Sequence, residues 1–171
     1  RTGSLWIAHG NTGITKLNTR QKNFTHYKHQ PGEPHSIPGN IIRALKVDSK
    51  NNIWVGTRNN GTCVINRKTG RVRTFKPDPS NPSGMYPNRT TCFFENDDGD
   101  VYLGSWGAGI RVIDGADGGT FRKFPPATID DNKGLRDSIV QAIHKDDDGI
   151  FWIGLEAGLD LYNPRTRQTR H

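Results

Sequence analysis

The sequence lacks what a membrane helix, a redox centre or a familiar metal site would need. No stretch approaches the ~18 apolar residues of a bilayer-crossing helix, and none has the apolar core of a secretory leader. Cysteine occurs twice, at Cys63 and Cys92, in neither CxxC nor Cys/His spacing. The six histidines form no HxH or HExxH pattern. There is no nucleophile elbow, P-loop or dinucleotide fingerprint. The GxG within GSWGAG (104–109) sits between two strand-like stretches, so it lacks the helix N-terminus on which phosphate binding depends. No cofactor, metal or catalytic residue is expected. Hydrophobic residues make up only 32% of the chain, low for a packed helical protein. Lys and Arg exceed Asp and Glu by 24 to 17, yet the basic residues are scattered and form no aromatic-basic stripe. That spread argues against nucleic acid as a partner.

Glycine (20) and proline (10) are plentiful, and both interrupt helices. Four Trp, four Tyr and seven Phe supply core material. The combination suits an all-β chain with many turns.

A unit of about 48 residues recurs. Trp6, Trp54, Tyr102 and Trp152 stand 48, 48 and 50 residues apart, each in a similar phrase: LWIAHGNTG, IWVGTRNNG, VYLGSWGAG and FWIGLEAG. Gly13, Gly61, Gly109 and Gly158 close those phrases, and Tyr27, Phe75 and Phe124 follow in step. The second unit reads as four short strands: IIRALKV, IWVGT, CVIN and RVRTF, separated by polar turns. Strands of this length joined by Gly, Asn, Asp and Lys turns form hairpins in series. A four-stranded antiparallel meander repeated at this period is a β-propeller blade. Nine of the ten prolines fall in the linkers between units, where no ladder hydrogen bond is lost.

The expected fold is therefore all-β: about 3.75 propeller blades in one domain, forming an incomplete ring. The blades span 1–28 (without its first strand), 29–77, 78–126 and 127–171 (with its last strand cut short). Such an array leaves faces bare. The chain is thus expected to belong to a larger propeller or to complete itself with other copies. A four-bladed ring is the less favoured arrangement. Ala44, Cys92 and Ala142 share a column that calls for a small residue near the axis, so Cys92 reads as a small buried hydrophobe. Cys63 aligns with Thr15, Arg111 and Asp160 in a polar column.

Function is expected on the face that carries the turns between second and third strands, together with the interblade linkers. Those turns differ between units although their frame is constant. They offer His9 and Asn11, then Arg58 and Asn59, then Trp106, then Glu156. Trp106 stands where other units have polar residues, which suits stacking on a sugar ring. Arg58 suits hydroxyls, a carboxylate or a sulfate. The linkers add Tyr86, Arg89 and Arg136, and Arg43 lies in a first strand that faces the axis. Packing of Trp106 against its neighbouring linker is the competing reading. The Asp-rich turns at 97–99 and 146–149 read as structural turns rather than cation sites.

These phrases resemble the two-component regulator propeller repeat, with its D-x-x-G-x-(I/L)-W-(I/V)-G-T core. HKDDDGIFWIGLEAGLDLYN (144–163) is the nearest copy and 46–70 the next, while 95–114 replaces Trp by Tyr102. The resemblance implies the periplasmic sensor region of a Bacteroidetes-type hybrid two-component system, whose parent chain is a histidine kinase. It implies a non-enzymatic, ligand-sensing segment in signal transduction that recognises oligosaccharides and does not itself enter the membrane. The net charge of +7 favours an acidic glycan. Two alternatives stay open. One is a structural or protein-interaction propeller without a small ligand. The other is a propeller glycan lyase or glycosidase, for which Glu156 and His9 lie on the right face but in non-adjacent units.

Overall fold

A computed structural model describes residues 4–18, 23–77, 89–114, 120–125 and 134–171. Every regular element among them is a strand. The first sheet has three strands, β1 (Ser4–His9), β2 (Gly13–Asn18) and β3 (Asn23–Tyr27), in sequential order. Three four-stranded meanders follow. The second sheet comprises β4 (Ile42–Val47), β5 (Ile53–Thr57), β6 (Thr62–Ile65) and β7 (Val72–Phe75). The third comprises β8 (Thr90–Glu95), β9 (Val101–Ser105), β10 (Ile110–Ile113) and β11 (Phe121–Phe124). The fourth comprises β12 (Val140–Lys145), β13 (Phe151–Leu155), β14 (Gly158–Asn163) and β15 (Gln168–Arg170). All neighbouring strands are antiparallel, and no sheet closes on itself. The chain is an incomplete propeller.

Three apolar clusters join the four sheets in a row. Ile14 and Ile37 pack on Ile42, Ile53 and Val55 between the first and second sheets. Trp54, Val64 and Phe75 meet Val101, Leu103 and Phe121 between the second and third. Tyr102, Ile110 and Phe124 meet Phe151, Ile153 and Tyr162 between the third and fourth. The first strands β4, β8 and β12 approach one another most closely across these interfaces, which places them nearest the axis. A side chain on Gly104 would put its Cβ 2.4 Å from the Cys92 sulfur and 2.9 Å from Val140. The small column at Ala44, Cys92 and Ala142, each paired in register with a glycine, follows from that crowding.

The repeat's Trp and Asp act on each other. The Trp54 indole N–H donates to Asp48 at 3.0 Å, while the other Asp48 oxygen accepts the Asn52 backbone N–H at 2.7 Å. Trp152 and Asp146 repeat the pair at 2.6 Å, with Ile150 N–H as the second donor at 2.8 Å. The indole bond holds the Asp146 carboxyl below the usual carboxylate range. Asp146 is thus a structural turn residue. In the third unit Tyr102 has no indole N–H to offer, and Asn96 stands where Asp would, capping its own turn through Asp100 N–H at 2.8 Å. In the first sheet the Trp6 indole N–H is buried without a partner among the described residues.

The two cysteines are differently placed. Cys63 is fully buried although its column is polar, because β6 lies inside its sheet with neighbours packed on both faces. Cys92 is only half-buried, on a first strand that borders the open axis. Both thiols are free, and burial pushes both upward, Cys92 to about 11. The outer faces of the row are bare. Trp152 is 38% exposed and Leu159 47%, whereas their counterparts Trp54 and Ile110 are each 0% exposed beneath the next sheet.

Candidate functional site

The three innermost strands share one irregularity. The β4–β5 register shifts between Ile42 and Ala44, β8–β9 between Thr90 and Cys92, and β12–β13 between Val140 and Ala142. A bulge adds one residue and re-aims it. The residues inserted here are Arg43, Thr91 and Gln141, one per blade at the same place in the repeat.

The turn after each second strand is tied beside this bulge. Arg58, Trp106 and Glu156 occupy equivalent positions. Their backbone N–H groups donate to the carbonyls of Ile41 (2.9 Å), Arg89 (3.0 Å) and Ile139 (3.1 Å), the residues just before the first strands. In the third blade the linkage extends to the next unit: Trp106 forms a β-bridge with Ile139, and Gly107 and Gly109 N–H donate to the Ser138 carbonyl. Each of the three four-stranded blades thus brings three positions to one end of its inner strand: pre-strand, bulge and turn.

Arg43, Arg89, Thr91, Trp106 and Gln141 line one cleft of about 350 Å³. They come from three consecutive blades. Trp106 is 41% exposed, and the Arg89 guanidinium lies 4.6 Å from its ring centroid, a cation–π contact that fixes the indole plane. Gln141 donates to Glu156 at 2.9 Å. The Thr91 hydroxyl donates to the Val140 carbonyl. Among the described residues, the Arg43 and Arg58 side chains have no hydrogen-bonding or ionic partner. The cleft therefore offers an aromatic surface held at a fixed angle, guanidinium and amide donors, and no buried acid/base pair.

The sequence-derived candidates separate into groups. Arg43, Arg89 and Trp106 meet in the cleft, and Glu156 joins through Gln141. Arg58 is exposed on the same face but is not part of the lining. Asn59 borders a different hollow, of about 590 Å³, beside His29, Asn60 and Lys76. His9 sits in the column where Thr57 and Ser105 pin their turns, and its Nε2 bonds the Thr15 hydroxyl at 2.8 Å. Asn11 is an exposed turn residue. Arg136 is drawn to the buried Asp160 carboxylate, which accepts its backbone N–H at 2.8 Å and lies 3.7 Å from its Nε. Tyr86 lies outside the described residues. Thr91 and Gln141 were not singled out from the sequence, although Arg43 stepped by the repeat length lands on both. Among the described residues no three His, Cys, Asp or Glu side chains are grouped to hold a metal ion.

Comparison with known proteins adds the following. The two-component regulator propeller profile matches residues 36–59 and 134–157. Nothing among curated proteins matches the chain. Two solved extracellular domains of hybrid two-component systems from B. thetaiotaomicron share its fold. The first has a TM-score of 0.79 at 23% identity, covering 99% of this chain and 22% of that one. The second has a TM-score of 0.74 at 21% identity, covering 98% and 23%. Streptogramin B lyase matches at a TM-score of 0.61 and 18% identity, covering 98% and 50%. The chain spans less than a quarter of the length of either extracellular domain. The matched segments hold Arg43 and Gln141 but not Arg89 or Trp106, which come from the unit where Tyr102 replaces Trp. With the propeller fold built around them, two segments of this chain, one in the second blade and one in the fourth, match the two-component regulator propeller repeat.

Proposed function

We propose that the chain is a ligand-sensing segment of a periplasmic receptor in two-component signal transduction, and that the cleft at Trp106 receives an oligosaccharide. The observation that carries this is the cleft itself: an exposed indole at a fixed angle, ringed by Arg43, Arg89, Thr91 and Gln141 from three blades. A sugar presents an apolar ring face and a fringe of hydroxyls, and those are the two surfaces this lining complements. The regular frame with irregular contents also favours recognition, since only the contents vary from blade to blade. Binding without turnover is favoured because Glu156 is engaged by Gln141 and His9 by Thr15, in separate places. The bare faces at Leu5, Trp152 and Leu159 suit further blades of the same receptor or other copies of the chain as partners.

Calorimetric titration with a panel of neutral, uronate-containing and sulfated oligosaccharides tests the reading. At least one is expected to bind, and Trp106→Ala to weaken it about tenfold or more, the scale of losing an aromatic anchor, with little change in melting temperature. The competing reading, a platform that binds nothing small, expects the reverse: lower stability in Trp106→Ala and no ligand for either protein. Silence across the panel would sink the sensing proposal.

A further inference from the structure

The same cleft says which class of saccharide it takes, an inference that rests on the reading above. Its five lining residues include two guanidiniums and no carboxylate. Two guanidiniums with no carboxylate in the same lining make the cleft a positively charged concavity, which favours an anion entering it.

The fold does not ask for either charge. Arg43 occupies the bulge column, where the neighbouring blades have Thr91 and Gln141. Arg89 occupies the pre-strand column, where the neighbours have Ile41 and Ile139 with the same backbone hydrogen bond. The frame thus accepts an uncharged side chain at both positions. Nor does a carboxylate of the protein claim them. Arg43 has no partner among the described residues, and the Arg89 guanidinium lies over the Trp106 ring with no hydrogen bond or ion pair of its side chain among the described residues. Glu156, the acidic residue nearest in the pattern, is held by the neutral Gln141 amide.

We infer that the cleft is selective for acidic saccharides, with Trp106 stacking on a sugar ring while Arg43 and Arg89 hold its anionic substituent. The chemistry shared by the candidate substituents is a planar or tetrahedral oxyanion that a guanidinium fork grips with two hydrogen bonds. A uronate carboxylate and a sulfate ester both meet that description.

The experiment is a set of matched titrations of the wild-type chain. One arm compares oligogalacturonates with their methyl esters, and the other compares a sulfated oligosaccharide with its desulfated form. In at least one arm the anion is expected to bind ten times or more tighter than its neutral partner, with the preference shrinking as salt rises. The arm that shows the preference identifies the substituent. Arg43→Gln is expected to cost the anion more affinity than its neutral partner and so to shrink the preference. Arg165→Gln, which removes a charge at the other end of the fourth sheet, is expected to leave it intact and so exclude a general effect of the net charge. Equal affinity for charged and neutral partners in both arms would overturn the inference while leaving oligosaccharide sensing in place. Loss of preference in Arg165→Gln as large as in Arg43→Gln would also overturn it. Binding of no saccharide at all would remove the underlying reading.

Discussion

Trp54→Ala is expected to destabilise the chain by about 3–5 kcal/mol, and Trp152→Ala by markedly less, although the two residues hold the same place in the repeat. Trp54 is 0% exposed. Its ring lies parallel to Phe75 at 5.8 Å and against Phe93 at 6.1 Å, and the third sheet closes over it. Truncation would leave a cavity between two sheets and strand the Asp48 carboxylate without its indole donor. Trp152 keeps the Asp146 bond but has no sheet above it and remains 38% exposed. Truncation there removes less packing and lets water reach Asp146. Equilibrium urea unfolding of both variants measures the difference through the midpoint, provided the slope is unchanged. Equal costs would mean that the face of the fourth sheet is covered in solution, as it would be by a second copy.

Gly61→Ala is expected to cost at least as much as a strained backbone residue, about 1–3 kcal/mol, with a steric penalty added. Gly61 has φ of +88°, and a Cβ there would sit 2.3 Å from the Phe75 carbonyl oxygen. The oxygen belongs to the end of β7, so relief requires parting the last two strands of the blade. The same turn depends on Thr57, whose hydroxyl donates to the Gly61 carbonyl at 2.7 Å and accepts from Asn60 N–H at 3.0 Å. Gly107→Ala is the matched control. Its φ is +106°, but nothing lies within 4 Å of the added Cβ, so it pays only the backbone strain. Thermal melts should therefore rank wild type above Gly107→Ala, and Gly107→Ala above Gly61→Ala. The opposite order would contradict the account of Gly61 as a clash between turn and last strand.

Much of this architecture was legible because a propeller repeats its constraints. The aromatic and glycine columns came into step from spacing alone, and the blade pattern followed from strands of four to seven residues between polar turns. The bulge was not legible, since nothing in IIRALKV marks Arg43 as an inserted residue rather than one of an alternating pair. Thr91 and Gln141 were overlooked for that reason, although they are Arg43 moved on by one and two blades. The Cys63 column reads as polar in sequence and is buried in space: Thr15 and Asp160 beside it are buried too, and satisfied by His9, Arg136 and His171. Trp106 shows the packing on its linker that the competing reading expects, through its backbone. It is pinned to the linker through its backbone and to Arg89 through one ring face, and the rest of the ring is open.

The central claim is that recognition occurs at the mouth of the axis, where bulge and turn residues of three blades converge. The most direct test is an amide and indole chemical-shift map of the chain during titration with a saccharide that binds it. The account predicts the largest shifts at the backbone amides of Arg89, Thr91, Trp106, Gln141 and Glu156 and at the Trp106 indole N–H. Shifts centred instead on the turns at Asp97 and Asp147, at the opposite ends of the same strands, would contradict it.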